Sequence, residues 1–176
     1  RKEDIDIINK YKPDYIGFIF AKSKREVTPE TVAEITKNLD KDIKKVGVFV
    51  NATYEKINEA VQVAKLDVVQ LHGDENDEYI SNLDCKCEIW KAVRVRDGED
   101  IYVKGVDRLL LDKYTDKEYG GSGQTFDWHG GSRIKTDKPI MLAGGIKTEN
   151  VIEGINIFKP VGVDISSSVE TDGFKD

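Results

Sequence analysis

The sequence predicts an α/β fold in which parallel strands alternate with helices, and three observations lead there. Short β-rich runs recur through the 176 residues: YIGFIF at 15–20, KVGVFV at 45–50, DVVQL at 67–71, EIWKAVRV at 88–95, RLLL at 108–111, PIMLA at 139–143 and VGVDI at 161–165. Most are near-continuous Val, Ile, Leu or Phe, the composition of strands covered on both faces rather than one. Helical patterns fill the intervals between them, so a parallel sheet with right-handed crossovers follows. No linker, low-complexity tract or composition shift interrupts the alternation, and residues 1–176 read as one domain.

Each helix has its own signal. Arg1 to Tyr11 already carries a helical pattern. Thr28 followed by Pro29 is an N-cap and first-turn pair, after which Val32, Ile35 and Leu39 fall on one face. Ile57, Ala60, Val61 and Ala64 recur at helical spacing and predict a narrow buried stripe. Thr148 is expected to cap a further helix with Val151, Ile155 and Phe158 facing inward.

Seven strands fit either an open doubly wound sheet or an incomplete eight-stranded barrel. An open nucleotide-binding sheet carries a Gly-rich turn after its first strand, but the segment after Phe20 is AKSKREVTPE, with no glycine. The glycines come late instead, Gly144 and Gly145 after one strand and Ser166-Ser167-Ser168 after the next. Phosphate sites built from the loops after strands 7 and 8 recur in barrels. If these are those strands, the expectation is a (β/α)8 TIM barrel whose strand 1 and helix 8 lie outside the 176 residues.

Composition narrows the function classes. A net charge of -6 disfavours nucleic acid, which is bound through clustered Lys and Arg. No apolar run approaches the roughly 18 residues of a membrane span and no signal segment opens the chain, so a cytoplasmic setting is expected. Cys85 and Cys87, the only cysteines, are too close for an unstrained disulfide and too few for zinc, and read as reduced structural thiols. Two histidines are too few for the metal centre of a sugar-phosphate epimerase. An indole-glycerol-phosphate synthase would need a lysine inside a strand, where Lys91 is the one candidate.

The strings KSKREVTPE (22–30), KKVGVFVN (44–51), VVQLHGDE (68–75), LLLDKY (109–114), YGGSGQTFDW (119–128), LAGGIKTENV (142–151) and VDISSSVE (163–170) resemble, in order and spacing, phosphoribosylanthranilate isomerase. The resemblance spans nearly the whole chain. It implies an aldose-ketose isomerase of tryptophan biosynthesis that opens the ribose of a small phosphorylated substrate to a Schiff base. Loss of the C2′ proton then gives an enolamine that becomes a ketone. The implied enzyme uses no metal or organic cofactor, touches neither nucleic acid nor membrane, and is a monomer or homodimer. A non-catalytic phosphate-binding barrel domain or an inactive fragment is the alternative.

The resemblance makes Asp112 the general acid that protonates the ribose ring oxygen. Asp112 ends an apolar strand, which in a barrel is the catalytic face, and acid work near neutral pH needs a carboxyl in partly apolar surroundings. From the residues alone, a helix N-cap or ion-paired carboxylate is the reading to prefer, and it is the resemblance that favours the acid. The family's general base is a cysteine in a Lys-Ile-Cys-Gly strand, expected upstream of Arg1. Cys85 and Cys87 precede a strand and belong to the opposite face. Arg25 is matched to the anthranilate carboxylate, suited by its planar fork, against a plain surface charge. Lys22 and Lys24 beside it read as solvated charges. Gly144 and Gly145, with Ser166 and Ser167 opening a short helix, are matched to the phosphate. Ser168 stands where the family has glycine. Asp164 is matched to a position near the ribose hydroxyls, or is structural. His72 follows a strand and either lines the substrate or is a satisfied structural histidine. Gly120, Gly121, Ser122 and Gly123 read as a mobile loop over the substrate, Trp90 and Trp128 as packing residues.

Overall fold

The computed structural model describes residues 1–95, 101–113 and 135–176. The chain divides into two compact units, Arg1–Ile89 and Trp90–Asp176.

The first unit opens with α1 (Lys2–Tyr11), which buries Ile5 and ends on Lys12 in the left-handed region. The Asn9 amide ties this helix down from both sides: Nδ2 donates to the Asn38 carbonyl at 2.8 Å, and Oδ1 accepts from the Asp40 N–H at 2.8 Å. Strands β1 (Tyr15–Ile19), β2 (Lys44–Phe49) and β3 (Val68–Leu71) are parallel neighbours, with Phe18 beside Gly47 and Val48 beside Gln70. All four residues of β3 are buried, as a near-continuous apolar run requires.

Between them lie α2 (Pro29–Ile35), α3 (Tyr54–Ala64) and the short α4 (Asp77–Ser81). Thr28 caps α2 as expected, accepting from the Thr31 N–H at 3.2 Å. Helix α2 ends at Ile35 and tightens into a 3-10 turn over Thr36–Asn38, so Leu39 lies past the helix. Ile57, Ala60 and Ala64 of α3 are buried, with Val61 half-buried at the stripe's edge. Tyr54 and Tyr79 stack with ring centroids 4.7 Å apart, and the Tyr79 hydroxyl donates to the Ala52 carbonyl at 2.7 Å.

Strand β4 (Glu88–Val95) begins at the end of the first unit and continues in the second. There it pairs in parallel with β5 (Arg108–Lys113), which pairs with β6 (Ile140–Leu142), which pairs with β7 (Gly162–Val163). Leu109, Leu110, Leu111 and Leu142 are fully buried. Trp90 is buried, with the Arg108 guanidinium 5.3 Å above its ring, in keeping with a packing role.

Helix α5 (Val151–Phe158) corrects two expectations. Asn150, not Thr148, holds the N-cap position. Ile155 is 40% exposed, and Gly154 takes the buried place between half-buried Val151 and Phe158. A pattern that counts only large apolar residues cannot see a glycine lying against its neighbours. The chain closes with a two-stranded ribbon of β8 (Glu170–Thr171) and β9 (Phe174–Lys175). Among the described residues no helix is long and apolar enough to cross a membrane.

Cys85 and Cys87 are free, and the Cys87 thiol donates to the Leu66 carbonyl at 3.2 Å. Its hydrogen bond with Cys85, together with burial, pushes this thiol well above the usual range, which keeps it protonated and unreactive.

Two measurements check this packing. A Cβ at Gly47 would lie 2.5 Å from Leu66 Cδ1 and 2.8 Å from the Phe49 ring, so Gly47→Ala is expected to destabilise the protein by about 1–3 kcal/mol in urea unfolding. Burial, aided by the charge of Glu75, raises the Tyr79 phenol from 10.0 to about 12. The folded protein therefore holds this proton more tightly than the unfolded chain, and the group subtracts stability as pH rises from about 10 to about 12. Tyr79→Phe should show a shallower fall in Tm than the parent across that range; parallel curves would contradict it.

Candidate active site

Within each unit, polar groups lie just past the C-terminal ends of that unit's own parallel strands. In the first unit the chain leaves β1 and loops back, so that Glu26 bridges to Ile19 and the Val27 N–H donates to the Ile19 carbonyl at 3.0 Å. This holds Lys22, Lys24 and Arg25 out at the strand end, all exposed. The Ser23 hydroxyl accepts from the Arg25 N–H at 3.2 Å and fixes the turn.

His72, half-buried, follows β3 directly and extends its ladder, donating its N–H to the Phe49 carbonyl at 2.7 Å. Its ring nitrogen Nδ1 lies 3.0 Å from the amide nitrogen of Gln70, which is 5% exposed. Past it the backbone is clasped to the loop after β2. The Glu75 carboxylate is buried and accepts two backbone N–H groups, from Asn51 at 2.8 Å and Gly73 at 2.9 Å. Asn51, itself left-handed at φ 48°, accepts from the Asp74 N–H at 2.8 Å through its side chain. A carboxylate taking two N–H groups makes charge-assisted bonds, stronger than neutral ones, and these hold the loop against the strand ends.

In the second unit Asp112 is 6% exposed at the end of β5, after three fully buried leucines. The β4–β5 register pairs it with Arg94, and partners in a parallel ladder project from the same face of the sheet.

Beyond β6, Gly144 and Gly145 have φ of 80° and 67°, two successive left-handed residues that only glycine adopts without strain. Asn150 braces this turn, donating to the Gly145 carbonyl at 2.9 Å and accepting from the Lys147 N–H at 2.7 Å. That explains its place at the head of α5 with no side-chain bond to the helix's own N–H groups. Beyond β7, the exposed Asp164 continues the ladder through its N–H to the Leu142 carbonyl at 2.8 Å. Ser166 stands at the N-cap position of a single 3-10 turn, Ser167–Val169, a smaller element than the short helix expected there.

Ser168 adopts no positive φ, so the turn needs no glycine at this place. Its hydroxyl donates to the Ile146 carbonyl at 2.5 Å, tying the loop after β7 to the loop after β6. Lys175 donates to the Ser166 carbonyl at 2.8 Å and so holds the two-stranded ribbon to the loop after β7. A cleft of about 600 Å3 opens against these two loops, lined among others by Ile146, Lys147, Ser167 and Ser168.

Gly120 to Gly123 and Trp128 lie outside the described residues. Four polar residues that matter here were not singled out from the sequence: Gln70, Glu75, Asn51 and Asn150. Gln70 carried a signal, as one polar residue inside a fully apolar strand. Glu75 carried none, because it sits in the acidic run DENDE, which reads as a solvated loop. Among the described residues no group of His, Cys, Asp and Glu is arranged to hold a metal ion.

The family model for N-(5′-phosphoribosyl)anthranilate (PRA) isomerase matches residues 1–176. The N-(5′-phosphoribosyl)anthranilate isomerase of Clostridium acetobutylicum is 49% identical over 181 residues, covering 100% of this chain and 88% of that protein. The crystal structure of phosphoribosyl anthranilate isomerase from Thermus thermophilus superposes with a TM-score of 0.87 at 28% identity, covering 100% of this chain and 88% of that one. A crystal structure of the isomerase in complex with reduced 1-(o-carboxyphenylamino)-1-deoxyribulose 5-phosphate gives a TM-score of 0.77 at 31% identity, with the same coverage. The fold is α/β, of the TIM-barrel class of these neighbours. With the whole chain matched by the model and nearly half its residues identical to a named relative, this chain belongs to the N-(5′-phosphoribosyl)anthranilate isomerase family.

Proposed function

We propose that this protein isomerises N-(5′-phosphoribosyl)anthranilate in tryptophan biosynthesis with Asp112 as general acid and Arg25, His72, Asp164, Gly144, Gly145, Ser166 and Ser167 as its substrate-binding groups. The observation that carries the acid role is the carboxyl of Asp112, 6% exposed at the end of an apolar strand. A carboxyl enclosed at that strand end is placed to hand a proton to a substrate atom seated against it. The Asp112 proton passes to the ribose ring oxygen as the C1′–O bond breaks, and the anthranilate nitrogen lone pair completes the C=N bond of the Schiff base. A base then removes the proton from C2′, giving the enolamine, which tautomerises to the ketone. That base is the family's cysteine, sought upstream of Arg1.

Arg25 is the counter-charge for the anthranilate carboxylate: exposed on a braced turn, its guanidinium can reach a ligand with two parallel donors. Gly144 and Gly145 bring backbone close to an anion because they lack side chains, and Ser166 and Ser167 add N–H and hydroxyl donors. Asp164 is assigned to the ribose hydroxyls and His72 to lining the substrate. A phosphorylated metabolite that also carries a carboxylate as sole ligand, neither nucleic acid nor membrane, suits a chain whose own net charge is -6, provided the cations are local. The cytoplasm is the setting, and a monomer or homodimer the assembly.

Steady-state kinetics that follow the loss of substrate fluorescence give kcat and KM for each variant. Asp112→Asn is expected to lower kcat at least about a hundredfold, the low end of general acid catalysis. Activity within a few-fold of the parent would remove Asp112 from the mechanism. Ser168→Ala should raise KM by about two- to tenfold with kcat nearly unchanged, since it removes one hydrogen bond that joins the two phosphate loops. Inorganic phosphate should compete with substrate in the parent protein and more weakly in that variant.

A further inference from the structure

We propose that Gln70 is a positioning residue that fixes the ring proton of His72 on Nε2, so that the imidazole offers the substrate a donor of set polarity. The proposal rests on the reading of His72 as a substrate-lining group.

Gln70 is the one polar residue of β3 and is 5% exposed. Residues two apart along an extended chain project to the same side, so the side chains of Gln70 and His72 stand next to one another. The amide nitrogen of Gln70 lies 3.0 Å from His72 Nδ1. An amide nitrogen can only donate. Nδ1 therefore accepts through its lone pair, and the neutral ring carries its single proton on Nε2. The bond also answers why a strand of otherwise apolar residues tolerates a primary amide, whose burial without a partner is costly.

The backbone around His72 is held as firmly. The His72 N–H is taken by Phe49 at 2.7 Å and the Gly73 N–H by Glu75 at 2.9 Å, and the same carboxylate takes the Asn51 N–H at 2.8 Å. Ring rotation and tautomer exchange are the freedoms these bonds leave. A ring turned over would set a carbon against the Gln70 amide, and an exchanged proton would set donor against donor. The first would set a C–H, and the second a lone pair, where the oxygens of an anionic substrate need an N–H donor.

The test uses the full-length protein labelled with 15N-histidine, near neutral pH, with long-range 1H–15N correlations reporting which ring nitrogen is protonated. The chain has two histidines, so His72→Asn assigns the signals. His72 is expected to show a bare Nδ1 and a protonated Nε2. In Gln70→Glu the carboxylate accepts rather than donates and should draw a proton onto Nδ1, with KM rising about tenfold and kcat changing less. In Gln70→Leu the signals should move toward the mixed tautomers of free imidazole. A proton on Nδ1 in the unmodified protein, or a pattern that neither variant moves, overturns the proposal. The first reading needs no variant, so poor folding of a mutant leaves the test intact. A pattern that changes while KM does not would leave the tautomer lock standing and overturn the place of His72 on the substrate.

Discussion

A strand buried on both faces has no lateral surface left for polar chemistry. The three leucines before Asp112 and the buried Val68, Val69 and Leu71 of β3 illustrate the constraint: along these stretches the side chains are committed to packing. What remains available is the ends. His72 is the first half-buried position past β3, and Asp112 directly follows the fully buried leucines of β5. The concentration of candidate groups there is thus a result of burial elsewhere, and it would hold whatever the chemistry.

Ends of strands are also where loops begin, and a loop that carries a ligand contact must be stiffened by something other than a ladder. The molecule does this repeatedly with a side chain that binds backbone. Glu75 gathers two N–H groups, Asn150 spans the Gly145 carbonyl and the Lys147 N–H, and Ser168 and Lys175 each take a carbonyl. Bonds of this kind stabilise by only about 0.5–1.5 kcal/mol each, more where a charge takes part, so their value lies less in global stability than in removing alternative loop geometries. The cost of ordering the loop is met during folding instead of at each binding event.

How much of this was legible in the sequence follows from the same division. The strands were readable because continuous apolar runs are unusual outside two-sided burial, and the Thr28-Pro29 start because its two residues act on neighbouring backbone atoms. Asp112 could be placed at a strand end from its leucines alone. The errors fall where the decisive partner is distant or absent. Asn150 and Thr148 are both capable caps, and what distinguishes them is the Gly145 carbonyl five residues upstream, which Asn150 reaches. Gly154 was passed over on α5 because a missing side chain gives no hydropathy signal. Glu75 was hidden in an acidic run, since composition cannot say which of several carboxylates turns inward. Arg25 was named by family likeness, and its exposed side chain shows why charge patterning alone left it ambiguous.

The clasp between Asn51 and Gly73 has a consequence for how this region can change. A methyl group at position 73 would fall 2.4 Å from the Asn51 amide oxygen and 2.8 Å from its backbone nitrogen, while that same amide oxygen is the acceptor for Asp74. No side chain can be added at one position without displacing the other, and displacing Asn51 forfeits the bond that orients residue 74. Substitutions at 51, 73 and 75 are therefore strongly non-additive. A library that randomises them singly would find only losses, and new loop shapes beside His72 become reachable when the three are varied as one unit.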